Sequence, residues 1–543
     1  MTTTEELIRI LEGTSDGEFE SDEVFLHNQQ GQDDEFNWLA GAPPPPVIDE
    51  FDHFTSGISP SLISKASSEL EIFEHFINLE LIEHMVKCTN QYHQRLVRTL
   101  PLKTYSRLHR WSDVTVQDMY IFLSVTMLMT RNSHLSIEEH WSTDPLLCAP
   151  IFGKLMTRNR YCMILGMLCF HDLTAAPAST SDLRLTKLEF IIQHARRLYK
   201  ESLVPYKNLC IDESIVPFKG RLVFKQYMPR KRNRFGIKLF VLCDIETGCI
   251  VDFIVYCGAT TDVADIPDLG KSGSVVVKLL EDYFDCNRCL YVDNWYSSSS
   301  LFKYLKNKKT YACGTAKVSR RGMPKFKKIK KGEVDSHYCG SLMALKWKDK
   351  KDVIMLSTVH DSKLVPSEKI DRVTRLPKMK PECVIDYSKN MGSVDRTDMM
   401  ISSLTIMRKT VKWHKKLGFH IFDMHLLNSF FIYNAMSMTK LDLAQFQLNV
   451  IQQLISKHKP AADVLTIIPR TSQRQSLDSN PLRLLTAAAV KHMPKLIPDR
   501  KCQRCKVCTK NKIRSQTRYY CAECNVYLCV DPCCRVYHEK KDL

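Results

Sequence analysis

Three aspartates stand where an apolar strand or a helix start has little ordinary use for a charge. Asp212 lies in the middle of NLCIDESIVPF, and Asp293 ends the short apolar run CLYVDN. Aspartate is depleted in strands, and a buried carboxylate needs a partner or a metal. Either residue alone reads as a strand-end or capping acid, but adjacent strand ends can bring two carboxylates onto one metal pair. Asp395 and Asp398 lie three apart at an expected helix start and so share a face, although the helix dipole is the plain reason for acids there. Together these oxygens would make a hard-ligand site for two Mg2+ or Mn2+ ions about 3.5–4 Å apart, suited to activating an attacking hydroxyl and stabilising a leaving oxygen. Asp386, in an expected strand VIDY, competes for the third position, and the residue pattern leaves that choice open.

A second cluster is built from soft donors. Cys505-x2-Cys508, Cys521-x2-Cys524, Cys529-x3-Cys533 and His538 follow the spacing of tetrahedral zinc sites. Seven ligands imply two Zn2+ and one further donor, Cys534 or Cys502. The chain has 21 cysteines, and the start MTTTEELIRI has no basic stretch leading into an apolar one. Zinc in a reducing compartment is therefore favoured over disulfides, and the protein is expected to be soluble and intracellular. The apolar stretch 119–129 is about half the roughly 20 residues of a membrane helix. His420, Asp423 and His425 interrupt the apolar segment 417–436, which fits a buried helix. No membrane partner is expected.

Charge divides unevenly along the chain. Residues 1–68 hold 14 acids against Arg9 and Lys65, which leaves 75 basic and 46 acidic residues in 69–543. A body with that excess suits a polyanion, because each cation that neutralises a phosphate releases condensed counterions. Arg230, Lys231, Arg232 and Arg234 precede an expected core strand and are candidates for DNA-backbone contact. Arg408, Lys409, Lys412 and Trp413, continuing into His414, Lys415 and Lys416, interleave an aromatic with cations. Trp295, beside Asp293, suits core packing or a stack against unpaired bases. The cluster Arg320, Arg321, Lys325, Lys327, Lys328, Lys330 and Lys331 suits DNA or a nuclear localisation signal.

These residues need a scaffold. Residues 1–68 are acidic, carry four prolines at 43–46 and are expected to be disordered, apart from a short amphipathic helix near 5–11. From 69 to 200 the apolar positions recur three and four apart, as in LEIFEHFINLELIEHMVKCTNQYH, with further helices over 115–130, 157–170 and 185–199. A mixed α/β sheet is expected over 201–318. There YKNLCIDESIVPF, GIKLFVLCDI and CIVDFIVYCG form a three-strand meander, followed by helix 271–284, strand CLYVDN, helix 297–307 and strand YACGTAKV. Residues 319–381 read as an insertion with strands ALKWK and VIMLSTV, and 382–398 return to the catalytic domain. Long helices fill 399–457, a linker spans 458–500, and the Cys-rich domain occupies 501–543.

The stretches CIDESIVPFKGR, MPRKRNRFGIKLFVLCD, YVDNWYSS, YACGTAK, IDYSKNMGSVDRTDMM and LLNSFFIYN, in that order, resemble the piggyBac-type transposases. The resemblance covers roughly 70–460 and returns in the tail. It implies an α/β fold: an RNase H-like catalytic domain with an insertion, flanked by helical dimerisation and DNA-binding segments and closed by a zinc-binding Cys-rich domain. Motif by motif, it makes Asp212 (IDES), Asp293 (VDNW) and Asp395 (GSVD) the catalytic metal ligands, adds Asp398 as accessory acid, and displaces Asp386. It sets the run around Trp413 beside the transposon end and assigns the tail to end DNA.

The function so implied is cut-and-paste excision and integration at TTAA sites, by two-metal phosphodiester hydrolysis and transesterification in a nuclear homodimer acting on double-stranded DNA. No energy cofactor is required, since transesterification conserves bond number. The rival from a different class is a domesticated, non-catalytic nuclear DNA-binding protein. A third reading is a zinc-finger interaction module on an inert scaffold. The retained aspartates speak against both.

Overall fold

The computed structural model describes residues 36–41, 48–99, 106–174, 183–229, 231, 233–370, 375–405, 410–459, 492–498 and 501–539. The chain divides into two units, Met1–Leu465 and Thr466–Leu543.

In the first unit a short strand β1 (Leu39–Ala40) precedes β2 (Gly57–Ile58), which pairs with β3 (Leu203–Val204). Then follow β4 (Asn208–Pro217), β5 (Gln226–Tyr227), β6 (Phe235–Asp244), β7 (Ile250–Val255), β8 (Cys289–Val292) and β9 (Tyr311–Thr315). The strands β4, β6 and β7 are the expected meander, each antiparallel to the next. Strands β8 and β9 join on the other side of β4, both parallel to it, in the order β7–β6–β4–β8–β9. Parallel pairing requires crossover connections, and the helices Gly270–Leu280 and Ser299–Asn307 supply them. Ser298 caps the second by accepting the Leu301 N–H. Gly314 in β9 permits a close approach: a Cβ there would lie 2.5 Å from the Val292 carbonyl oxygen and 2.5 Å from Ser297 Oγ.

The sheet is apolar on both faces, as helices on both sides demand. In β8, Leu290 and Val292 join one apolar cluster while Cys289 and Tyr291 join another, the period of two expected of a strand. The first cluster is continuous with the helical region through Phe73, Phe76, Phe122, Phe253 and Phe422. The helix Trp413–Met436 is buried nearly all round, consistent with apolar residues on every face. It packs against the helices Glu69–Phe76, Glu189–Ser202 and Leu443–His458. Among the described residues, no helix is long and apolar enough to cross a membrane.

An ion pair ties the helices to the sheet. Arg196, on Glu189–Ser202, donates through Nε and Nη2 to the two carboxylate oxygens of Asp252 in β7, at 2.6 and 2.8 Å. Asp252 is fully buried, and Lys200 Nζ lies 3.3 Å away. Breaking such a pair from one side costs about 3–5 kcal/mol, because it strands a buried charge.

Several expectations need correction. The stretch 1–68 was expected to be disordered, yet 36–41 and 48–68 carry structure, including the helix Pro60–Lys65. Leu39–Ala40 adds to the sheet by pairing with β10 (Val334–Cys339), and Trp38 Nε1–H donates to the Gly322 carbonyl at 2.9 Å. Apolar anchors at Phe36 and Trp38 hold this segment despite its acidic composition. The proposed helix near 5–11 falls outside the described residues. The periodic stretch from residue 69 is two helices, Glu69–Phe76 and Leu79–Thr99, because Asn78 caps the second by accepting the Leu81 N–H.

The stretch 319–381 is not independent of the main sheet. Strands β10, β11 (Leu342–Lys348) and β12 (Asp352–Ser357) extend it, with β12 antiparallel to β9. A separate two-stranded ribbon, β13 (Leu364–Ile370) with β14 (Pro377–Pro381), follows. VIDY is not a strand but part of the helix Glu382–Asn390, where Cys383 and Val384 are buried on one face. The linker reading of 458–500 also fails at its far end: Pro494–Leu496 is a strand (β15) paired within the second unit.

Candidate functional site

The parallel pairing of β4 and β8 sets Ile211 opposite Val292. The next residue in each case is an aspartate, so Asp212, inside β4, and Asp293, one residue past the end of β8, stand side by side. The helix Ser393–Leu404 packs across β4 and β6 and carries Asp395 in its first turn and Asp398 one turn on. Ser214, two residues past Asp212 on the same strand face, donates its hydroxyl to Asp398 Oδ1 at 2.5 Å. The four aspartates therefore converge on one end of the β4–β8 pair.

Few protein donors serve them. Asp212 Oδ1 accepts the Glu213 N–H at 2.9 Å, and Asp293 Oδ1 accepts the Trp295 N–H at 3.1 Å. Two acids elsewhere collect more donors. Asp244 takes bonds from the Tyr206 and Thr247 N–H groups and the Thr247 hydroxyl. Asp386 accepts the Tyr291 hydroxyl at 2.5 Å and the Asn390 amide at 2.9 Å, with His360 Nε2 at 3.2 Å. Those partners make Asp386 a structural acid that locks its helix to β8.

Lys231 is the cation among the acids. Its Nζ lies 3.4 Å from Asp395 Oδ1 and donates to the Glu213 carbonyl at 3.4 Å. Its ammonium also acts on Asp212, Glu213 and Asp398. Burial pushes the Asp212 carboxyl well up, and the adjoining Glu213 carboxylate adds to the rise. Asp293 is raised for the same two reasons, against the Trp295 N–H. Burial lifts Asp398 to about 6, although the Ser214 hydroxyl and Lys231 pull the other way. Glu213 Oε2 is buried without a hydrogen-bond partner. Sequence reasoning missed Glu213 and Ser214, and it read Lys231 only as a DNA contact. Among the described residues, the aspartate oxygens do not form a mutually close set of the kind found in the tail. All are hard oxygen donors, which suits Mg2+ or Mn2+.

The other candidate contacts fall into different environments. Trp295 is half-buried and stacks on Phe240 at 5.3 Å, with Lys238 Nζ 4.7 Å from its ring centre. Arg320 donates to the Asn294 carbonyl at 3.1 Å and to that of Trp295, so it braces the turn after Asp293. Lys325, Lys327, Lys328, Lys330 and Lys331 are exposed, as is Arg234. Lys412 is exposed at the start of Trp413–Met436, with its Nζ 5.8 Å from the Tyr92 ring centre. Trp413 is instead buried against Phe224, so it serves as core. Lys415 is buried too and donates to the Leu165 and Gly166 carbonyls at the end of Arg158–Met167, where a cation meets the negative end of the helix dipole. Arg230, Arg232, Arg408 and Lys409 lie outside the described residues.

In the second unit the ligands interleave. Cys505, Cys508, Cys529 and Cys533 form one set, and Cys521, Cys524, His538 and His492 the other; within each, the ligand atoms lie within 4.8 Å of one another. His492 Nδ1 is 3.4 Å from Cys524 Sγ and 3.6 Å from Cys521 Sγ. The eighth member of the two sets is therefore His492; neither Cys534 nor Cys502, the expected donors, joins them. Cys502 is exposed, and Cys534 Sγ is turned to the His492 carbonyl at 3.8 Å. Strand β15 carries His492 to this set by pairing with Tyr519–Cys521 (β18 in chain order, after Gln503–Arg504 and Gln516–Thr517).

The class of protein is that of the transposases: a family model described as Transposase IS4 matches residues 68–430. A cryo-EM structure of a piggyBac transposase synaptic complex with hairpin DNA shares the fold, with a TM-score of 0.65 at 23% identity over 88% of this chain and 99% of that one. The chain belongs to the piggyBac-type transposase family.

The raised Asp398 gives a pH signature. Its folded value, about 6, lies above the ordinary carboxyl value of about 4. Stability tied to this proton is therefore present below the ordinary value and is lost as pH rises through the folded one. In EDTA, the melting temperature of the wild type should fall between about pH 4 and about pH 6 more steeply than that of Asp398→Asn. Parallel profiles would contradict the assignment.

Proposed function

We propose that the protein is an active piggyBac-type DNA transposase whose RNase H-like core excises and integrates DNA at TTAA sites. The observation that carries the reading is the convergence of Asp212, Asp293, Asp395 and Asp398 with so few protein donors. The strand order β7–β6–β4–β8–β9, three antiparallel strands and then two parallel ones, supports the RNase H-like assignment. Carboxylates this short of donors are suited to holding cations.

In this reading Asp212, Asp293 and Asp395 hold two Mg2+ or Mn2+ ions, and Asp398 supports them from the next helical turn. When bound, the ions offset the charge that builds on the phosphate oxygens during displacement. The chain's own contribution is positional. Strands β4 and β8 fix Asp212 and Asp293, Ser214 orients Asp398, and Arg320 holds the turn that presents Trp295. Arg234 and Lys412, both exposed, would meet the DNA backbone, and the partly exposed Trp295 would stack on an unpaired base. One phosphodiester is hydrolysed first; the freed 3′-OH attacks the opposite strand, closing a hairpin and releasing the flanking DNA. Water then opens the hairpin, and the regenerated 3′-OH attacks a target phosphodiester, displacing its 3′ oxygen. Two ends must be paired, so the working form is a homodimer, and its place of action is the nucleus.

Two interleaved sets of soft donors suit two Zn2+, and the tail would then bind transposon-end DNA. The domesticated, non-catalytic reading differs in one observable. Wild type should excise a TTAA-flanked cassette with cognate ends, and Asp212→Ala, Asp293→Ala and Asp395→Ala should each reduce excision by at least about 100-fold, the scale of losing a group used in the transition state. No excision by wild type, or equal excision by the mutants, would end the catalytic reading.

For the tail, elemental analysis should give about two zincs per chain. His492→Ala should retain about one, while Cys502→Ser and Cys534→Ser keep both. Loss of zinc in Cys534→Ser with none in His492→Ala would restore the ligand set read from spacing.

A further inference from the structure

A lysine among four carboxylates needs an explanation that DNA contact alone does not supply. Lys231 sits in the turn between β5 and β6, which the Met228 N–H closes by donating to the Arg234 carbonyl at 2.7 Å. The Lys231 N–H donates back to the Met228 carbonyl at 3.2 Å. From there the side chain runs inward, to the 3.4 Å contacts with Asp395 and the Glu213 carbonyl. Its charge acts on Asp212, Asp395, Glu213 and Asp398 together. Arg234, three residues on, is exposed. The Lys231 side chain keeps 32% of its surface exposed, so it can leave the acids without opening the core.

We propose that Lys231 is the internal counter-ion of the acid centre, which divalent metal must displace, and that its release turns the ammonium outward to a DNA phosphate beside Arg234. Without metal, the converging carboxylates repel one another, and one ammonium at 3.4 Å relieves part of that repulsion. A divalent ion carries twice the charge and approaches a carboxylate oxygen to about 2.1 Å, so it wins the exchange. A lysine suits this part because its ammonium is a compact point charge on a flexible stem. Metal loading and presentation of a backbone contact are then one linked event, and each favours the other. Lys231 acts here as a positioning residue, through the acids.

The inference rests on the metal-centre reading above, and the test separates the two. The full chain is titrated with Mn2+ without DNA, and free Mn2+ is followed by electron paramagnetic resonance. Asp293→Asn serves as the control for binding at the acids. Lys231→Gln should bind Mn2+ about fivefold more tightly than wild type, because a competing charge is gone. Lys231→Arg should stay near wild type. In EDTA, Lys231→Gln should melt below wild type, and saturating Mn2+ should erase that difference. Unchanged or weaker Mn2+ binding by Lys231→Gln overturns the counter-ion role while leaving the metal centre standing. If wild type and Asp293→Asn bind Mn2+ equally, the metal-centre reading falls and this inference with it.

Discussion

Everything at the acid centre depends on how β4 meets β8. Their parallel register sets Ile211 opposite Val292, so a carboxylate inside β4 and one just past the end of β8 come side by side. Parallel strands do not pair through a tight turn. The crossover through Gly270–Leu280 and the helical layer behind it follow from that single pairing. Gly314 lets β9 close against Val292, and the Arg196–Asp252 pair fixes the helical layer to β7. The fold can be understood as what is needed to keep Asp212 and Asp293 adjacent and to lay the helix Ser393–Leu404 across them.

That arrangement is costly by itself. Burial raises Asp212, Asp293 and Asp398 alike, and Glu213 adds a further carboxylate with a buried oxygen that has no partner. Structural acids avoid this cost by collecting donors, as Asp386 does from Tyr291 and Asn390. The centre answers with one cation, Lys231, and one hydroxyl, Ser214. A site left short of donors in this way is suited to divalent ions, and buried strain of this kind is characteristic of functional positions.

Much of this was legible in the residues. An aspartate inside NLCIDESIVPF violates strand preference, and the paired cysteines have a spacing that few other purposes require. The meander and both crossover helices followed from apolar periodicity. What escaped did so for physical reasons. His492 lies 29 residues before Cys521, and a single histidine carries no spacing signal. The β-branched VIDY imitates a strand, but one buried face of a short helix outweighed that preference. Trp413 sits among cations in sequence, yet a helix start turns its ring inward to Phe224 while Lys412 stays outside. Lys231 had the charge of a DNA contact and the geometry of a counter-ion, and only the folded turn tells them apart. The edge strand Leu39–Ala40 is two residues long, too short for any periodicity to announce it.

The central claim is that Asp212, Asp293 and Asp395 form one divalent-metal centre. The most direct measurement is anomalous scattering from crystals of the full chain soaked in Mn2+. Two peaks about 3.5–4 Å apart, bound by those three carboxylates, are expected. No peak among them, or Mn2+ held by Asp386 instead, would contradict it.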